Sequence, residues 1–164
     1  MPQDAREIFI TGLRNAHAME TQAREMMERQ SERLDNYPEV KARVEQHLRE
    51  TEGQIDRLDR LLGSAGESAS TLKDATQSFM GNMVAMAHTV MPDEILKNTF
   101  ANNAFEHFEI AAYKSLLALA DIAGASSAKP LLAASLKEEE AMAAWIDQHI
   151  DSVTRSYVRF AQAA

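Results

Sequence analysis

Glu20, Glu50, Glu106, Glu109 and Glu139 are the residues of this chain whose type and spacing can do chemistry. Each lies on a stripe that steps by three and four residues, with apolar side chains before and after it. The stripes run Phe9, Leu13, Ala16, Glu20, Ala23, Met27; then Val40, His47, Glu50, Gln54, Leu58, Leu61; then Ile95, Thr99, Asn102, Glu106, Glu109, Tyr113, Leu116, Ala120; then Leu132, Leu136, Glu139, Ala143, Ile146, Ile150. That stepping is the inward face of a helix in a bundle. A bundle interior does not hold several ionised carboxylates uncompensated: they must be protonated, paired with cations or bound to metal. No Lys or Arg lies on these stripes at the matching depth. Two divalent ions would bring +4 against the −5 of the five glutamates, the near-balance of a dinuclear carboxylate site. Oxygen and imidazole donors suit two iron ions, with manganese or zinc as substitutes.

The usual pattern for such a site is one Glu from each of two helices and a Glu-x-x-His from each of the other two. This chain departs from it: Gly53 stands three residues after Glu50, and Met142 three after Glu139. His47 precedes Glu50 by three on the same face, and His17 precedes Glu20 by three. With the first two helices antiparallel, His17 is expected near the level of Gly53 and Gln54, and Glu106 near the level of Met142. Surface positions are the competing reading for His17, His47 and His107. Glu52, Glu138 and Glu140 compete with Glu50 and Glu139 for the inward positions, since a rotation by one residue exchanges them.

The elements that must position these side chains are all helical. Pro38 disfavours helix at Tyr37 and opens a new one, Gly63 to Ser68 reads as a loop, Met91-Pro92-Asp93 is a break, and Gly124 to Ser127 is a cap and loop before Pro130. These marks leave helices over roughly 4–35, 38–62, 71–90, 93–123 and 129–150, with a helical tail from Asp151 to Phe160, and no clean strand alternation. Four long helices in two hairpins, joined by one long crossover that carries a short extra helix, make an all-α, ferritin-like four-helix bundle, read as a single domain over 1–164. That short helix gathers Met80, Met83, Met86 and Met91. It reads as an apolar face packed on the bundle or on a partner, with a pliable groove or an oxidisable surface as the alternative.

Composition narrows the function classes. The 164 residues include 17 Lys and Arg against 25 Asp and Glu, a formal net charge of −8, which argues against nucleic acid or an anionic membrane surface as partner. No cysteine is present, so disulfides, thiolate metal sites and Cys nucleophiles are excluded. Neither a signal peptide nor a run of about 18 apolar residues is visible, so a soluble cytoplasmic protein is expected. A phosphate loop, a nucleophile elbow and a zincin motif are all absent from the sequence.

The segments HAMETQA around Glu20, HLRETEGQIDRL around His47 and Glu50, EHFEIAAYKSL around Glu106 and Glu109, and LKEEEAMAAWI around Glu139 resemble the YciE/YciF-type family of bacterial stress-associated, ferritin-like proteins. The resemblance runs from about Ile8 to Ile150 and is most specific at EHFEIAAY; the paired-Glu helix is also similar to that of rubrerythrins. It implies a ferritin-like bundle, a di-iron or other dimetal centre and a homodimer. Glu20, His47, Glu50, Glu106, Glu109 and Glu139 are then the ligand candidates, with His17, Gln54 and Tyr113 as residues that support them. Some members carry His where this chain has Gln54, whose amide oxygen is a poorer ligand. Two functions follow: a dimetal protein that reacts with oxygen or peroxide, or a structural helical dimer whose metal site is vestigial or purely structural.

Overall fold

A computed structural model describes residues 4–67 and 94–163. They form four helices, α1 (Ala5–Ser31), α2 (Pro38–Ser64), α3 (Glu94–Ile122) and α4 (Lys129–Ala163), with a single 3-10 turn, Ser126–Ala128, leading into α4. No strand occurs among the described residues. The short helix expected over 71–90, with Met80, Met83, Met86 and Met91, lies outside them.

A few residues set the helix ends. Tyr37 is non-helical, with φ −129° and ψ 65°, and Pro38 occupies the first turn of α2, where a missing N–H costs nothing. The chain leaves α1 at Ser31, short of the expected 35, because the turn that delivers Tyr37 to Pro38 closes through a bond from Tyr37 N–H to the Leu34 carbonyl, 2.8 Å. Gly124 has φ 68°, a left-handed conformation that only glycine adopts cheaply, and the next amide, Ala125 N–H, reaches back to the Ala120 carbonyl at 2.8 Å. No Gly or Pro follows Pro130, so α4 runs on through the expected tail to Ala163.

The pairing of side chains gives the topology. Gln30 meets Asn102 and Glu20 meets Tyr113, so α1 and α3 are antiparallel; Gln54 meets Glu139 and Arg57 meets Ser135, so α2 and α4 are antiparallel. With α1–α2 and α3–α4 as hairpins, α2 and α3 lie diagonally and run the same way. Glu67, beyond the end of α2, pairs with Arg14 near the start of α1, while Glu94 at the start of α3 pairs with Arg33 just beyond the end of α1. The two ends of the long connection therefore sit at opposite ends of the bundle, which is the ferritin-like connectivity with one crossover.

Apolar layers close the bundle above and below its middle. One end packs Phe9, Leu13, Leu58, Leu62, Leu116, Ala120 and Leu132, and the other packs Met27, Leu34, Val44, Ile95 and Val153. At the first end Gly12 lets α1 and α3 approach closely: a β-carbon there would stand 2.9 Å from the Leu116 side chain. Toward the other end the α1–α3 seam turns polar. Gln30 and Asn102 exchange two amide hydrogen bonds, 3.2 and 2.9 Å, in a setting where both are nearly buried. Such a pair is self-satisfied only while both partners are present.

Gln30→Leu or Asn102→Leu alone is expected to lower stability by about 1–3 kcal/mol by orphaning the partner amide. The double variant should recover part of that loss. Urea unfolding of the three variants measures the difference, and a double variant as weak as the sum of the singles would count against the pairing.

Candidate metal centre

Between the two apolar layers the interior is polar. His47, Glu106, Glu109 and Glu139 each offer one ligand atom, and these atoms all lie within 4.8 Å of one another. Helix α2 supplies His47, α3 supplies Glu106 and Glu109 one turn apart, and α4 supplies Glu139. All four are buried; His47 and Glu109 are 1% exposed and Glu139 is 0% exposed. His47 Nε2 faces Glu106 Oε2 at 3.3 Å and Glu139 Oε2 at 3.4 Å. Its other ring nitrogen, Nδ1, lies 2.8 Å from Glu50 Oε2.

The remaining sequence candidates surround this group. Glu20 on α1 is 1% exposed, and its Oε1 accepts a 2.6 Å hydrogen bond from the Tyr113 hydroxyl. Gln54 is fully buried and its amide donates to Glu139 Oε1 and, at 3.0 Å, to Glu138 Oε2. Glu50 stays at the rim with its side chain 22% exposed, and lies outside the group of four. His17 bonds Asp59 through Nε2 at 3.1 Å and also lies outside the group. His107 is exposed and bonds the Asn103 carbonyl. Of the competing glutamates on α4, Glu139 points inward, while Glu138 turns toward Arg57, which forms a short ion pair with it.

The sequence reading missed the basic residues at the rim. Arg43 is 9% exposed and pairs with Glu50 Oε2 at 3.2 Å, and Arg57 holds Glu138. Arg43 lies four residues before His47 and Gln46 four before Glu50, so helical spacing places them on that flank; the apolar stripe drawn through α2 skipped them. Ser135, buried on α4 and bonded to Arg57 at 3.0 Å, carried no signal beyond its position one turn before Glu139.

The electrostatics follow from burial. Desolvation pushes the Glu20 and Glu109 carboxyls well above the usual range, and neighbouring Glu139 pushes both further. Glu106 rises to about 7, again chiefly by burial, although His47 works against the rise. Burial alone would lower the His47 imidazole, but the Glu106, Glu139 and Glu50 carboxylates around the ring outweigh it and the pKa goes well up. Burial opposes ionisation of Glu50 too, yet His47, Gln46 and Arg43 hold its carboxyl down at about 2. Tyr113 is raised well above 10 by burial and by the Glu20 carboxylate beside it.

Donor chemistry tests whether a metal fits. Among the described residues, Glu20 Oε2, Glu106 Oε2, Glu109 Oε1 and Glu139 Oε2 are buried and make no hydrogen bond, although His47 Nε2 stands 3.3 and 3.4 Å from the Glu106 and Glu139 atoms. Buried acceptors without partners are costly. Carboxylate oxygens gathered with an imidazole nitrogen are the donor set of iron, manganese or zinc, so the residues fit a metal ion.

Comparison with known proteins agrees with the sequence resemblance. A family model described as "Domain of unknown function (DUF892)" matches residues 4–159. The chain belongs to this family. Protein YciF of Escherichia coli (strain K12) is 30% identical over 142 residues, covering 82% of this chain and 83% of YciF. A crystal structure of a protein from Xanthomonas campestris pv. campestris superposes with a TM-score of 0.81 at 31% identity, covering 97% of this chain and 99% of that one. The crystal structure of the E. coli stress protein YciF superposes with a TM-score of 0.71 at 23% identity, covering 94% and 99%, and supports the fold. This is a YciF-type helical bundle, and among the described residues no helix is long and apolar enough to cross a membrane.

The raised carboxyls give a sign for the pH dependence of the metal-free protein. Glu20, Glu106 and Glu109 hold protons more tightly folded than unfolded, so their contribution is full below about pH 4.5 and falls as pH rises, through about 7 for Glu106. His47 has the same sign: its contribution is full below about 6.5 and is lost above that, while Glu50 acts oppositely, only below about 4.5. The chelator-treated protein is therefore expected to melt at a lower temperature at pH 8.5 than at pH 5.5. Thermal unfolding by circular dichroism across that range checks it, and a melting temperature that climbs with pH would contradict it.

Proposed function

We propose that this protein is a dimetal carboxylate protein of the bacterial stress response, with two iron ions as its resident metals and manganese or zinc as substitutes. The observation that carries the reading is the group of His47, Glu106, Glu109 and Glu139, all buried, each offering one ligand atom within 4.8 Å of the others. Charge supports the number of ions. Glu50 is compensated by Arg43, so Glu20, Glu106, Glu109 and Glu139 remain, and their −4 matches two divalent cations beside a neutral imidazole. Glu106, Glu109, Glu139 and His47 would hold the metals, with Glu20 completing the set from α1. Iron bound by such donors supplies one-electron redox chemistry toward oxygen or peroxide.

The protein's own residues do the rest. Tyr113 orients Glu20 through its hydroxyl, leaving Oε2 as the free oxygen. The Gln54 amide holds Glu139 from α2 and leaves Glu139 Oε2 free. Apolar layers on both sides keep bulk water from the carboxylates, so unlike charges attract strongly there. The stress role rests on family membership and on the description of E. coli YciF as a stress protein. A homodimer and a cytoplasmic setting belong to the same reading; Phe100 and Ile122, exposed on α3, offer apolar surface for a second copy.

Purified chain, stripped and then titrated anaerobically with ferrous iron, is expected to bind two ions, and Glu109→Ala or Glu20→Ala should lose at least one. Addition of peroxide or oxygen should then oxidise the bound iron, seen as near-ultraviolet absorbance. Failure of the wild type to bind metal would overturn the reading. Binding without oxidation would leave a static metal site, the structural alternative, and would defeat only the redox part.

A further inference from the structure

The rim carboxylate Glu50 is placed differently from the other glutamates of the centre. It is the most exposed of them, and both of its oxygens are engaged: Oε2 by His47 Nδ1 at 2.8 Å and Arg43 Nη1 at 3.2 Å, Oε1 by Gln46 Nε2 at 2.9 Å. Among the described residues, Glu20, Glu106, Glu109 and Glu139 each keep one buried oxygen that makes no hydrogen bond, whereas no Glu50 oxygen is left so. From this contrast we propose that Glu50 is a positioning residue that orients His47, and that it does not ligate the metal. The proposal rests on the metal-binding reading of the centre.

The chemistry is that of a ring with two distinct nitrogens. A neutral imidazole carries one N–H and one lone pair, and the group bonded to one nitrogen decides which is which. An ionised carboxylate only accepts, so Glu50 draws the proton to Nδ1. The lone pair is then on Nε2, the nitrogen that faces Glu106 and Glu139 at 3.3 and 3.4 Å. A carboxylate behind a ligating histidine fixes its tautomer and ring angle and makes the nitrogen a stronger donor.

All four residues of the device belong to one helix. Arg43, Gln46, His47 and Glu50 lie on successive turns of α2, so their bonds need nothing from α3 or α4. Helix α2 therefore brings an already oriented histidine to the carboxylates of the other helices. Arg43 has a defined part in this: it neutralises Glu50 on the solvent side, so that the charge behind His47 adds nothing to the repulsion inside the centre.

Zinc, which is diamagnetic, is the probe, used on the full chain as wild type, Glu50→Ala, Glu50→Gln and Glu109→Ala. Stoichiometry and affinity come from competition with a coloured chelator, and the His47 ring from long-range proton–nitrogen correlation spectra. The expected wild-type ring is metallated at Nε2 with a slowly exchanging Nδ1–H. Glu50→Ala should keep the zinc stoichiometry, lose affinity about 10–100-fold and lose the Nδ1–H signal to exchange. Glu50→Gln, whose amide oxygen still accepts and whose shape preserves the fold, should fall between the two and keep the signal. Glu109→Ala should lose stoichiometry. If both Glu50 variants lose stoichiometry as Glu109→Ala does, Glu50 is a ligand and the proposal fails. An affinity and ring spectrum unchanged in Glu50→Ala would also overturn it. A wild type that takes up no zinc, iron or manganese would instead remove the metal reading itself, and this proposal with it.

Discussion

Placing four glutamate side chains in the middle of an apolar bundle is the constraint on which the rest of the structure depends. A carboxylate taken out of water loses several kcal/mol of solvation unless cations or hydrogen bonds replace it. Among the described residues, one buried histidine, one tyrosine hydroxyl and one glutamine amide face these four. They satisfy one oxygen of Glu20 and one of Glu139, and leave an oxygen unpartnered on all four glutamates. A fold that keeps such a group does so at a cost in stability, and the apolar layers on either side carry that cost. Protonation of the raised carboxyls relieves part of that cost, and bound cations would remove more of it.

The same constraint separates interior from rim. Where a glutamate sits at the solvent boundary, an arginine from the same flank of the bundle meets it: Arg43 at Glu50, Arg57 at Glu138. Arginine keeps its charge under all conditions and can lay its stem along apolar surface while its head reaches the edge. Inside, among the described residues, no ion pair joins an arginine or lysine to the central four; burial shifts the carboxyls of Glu20, Glu106 and Glu109 upward, opposed by Tyr113 and His47 at Glu20 and by His47 at Glu106. The rim is thus built from closed ion pairs and the interior from open acceptors.

Legibility in the sequence followed the strength of the local signal. The inward stripe of helix α1 was readable, though not its C-terminal end, because Phe9, Leu13, Ala16, Glu20, Ala23 and Met27 form one unbroken stripe and all are buried. Helix α3 was readable for the same reason, from Asn102 through Glu106 and Glu109 to Ala120. Helix α4 was harder: three consecutive glutamates, 138 to 140, differ by 100° steps around the axis, and small errors of phase exchange them. The partner helix resolved the phase, since Gln54 reaches Glu139 while Arg57 draws Glu138 outward. On α2 the same stepping carries His47, Glu50 and Gln54, but Glu50 stands at the rim, where Arg43, off the apolar stripe, meets it.

The sequence by itself determined that the chain is helical, where the four long helices lie, and that α1 and α3 carry glutamates on the stripe that turns inward. Those properties are local: periodicity, caps and the scarcity of Gly and Pro act within a few residues. Only the tertiary structure decided which of those glutamates share one volume, that His47 faces them with Nε2, and that Glu50 closes onto Arg43 at the edge. The reason is physical. Burial and the energy of a charge depend on distances across helices far apart in the chain, and a change of one residue in helix phase or register moves a carboxylate from an ion pair in water to an uncompensated place in the core.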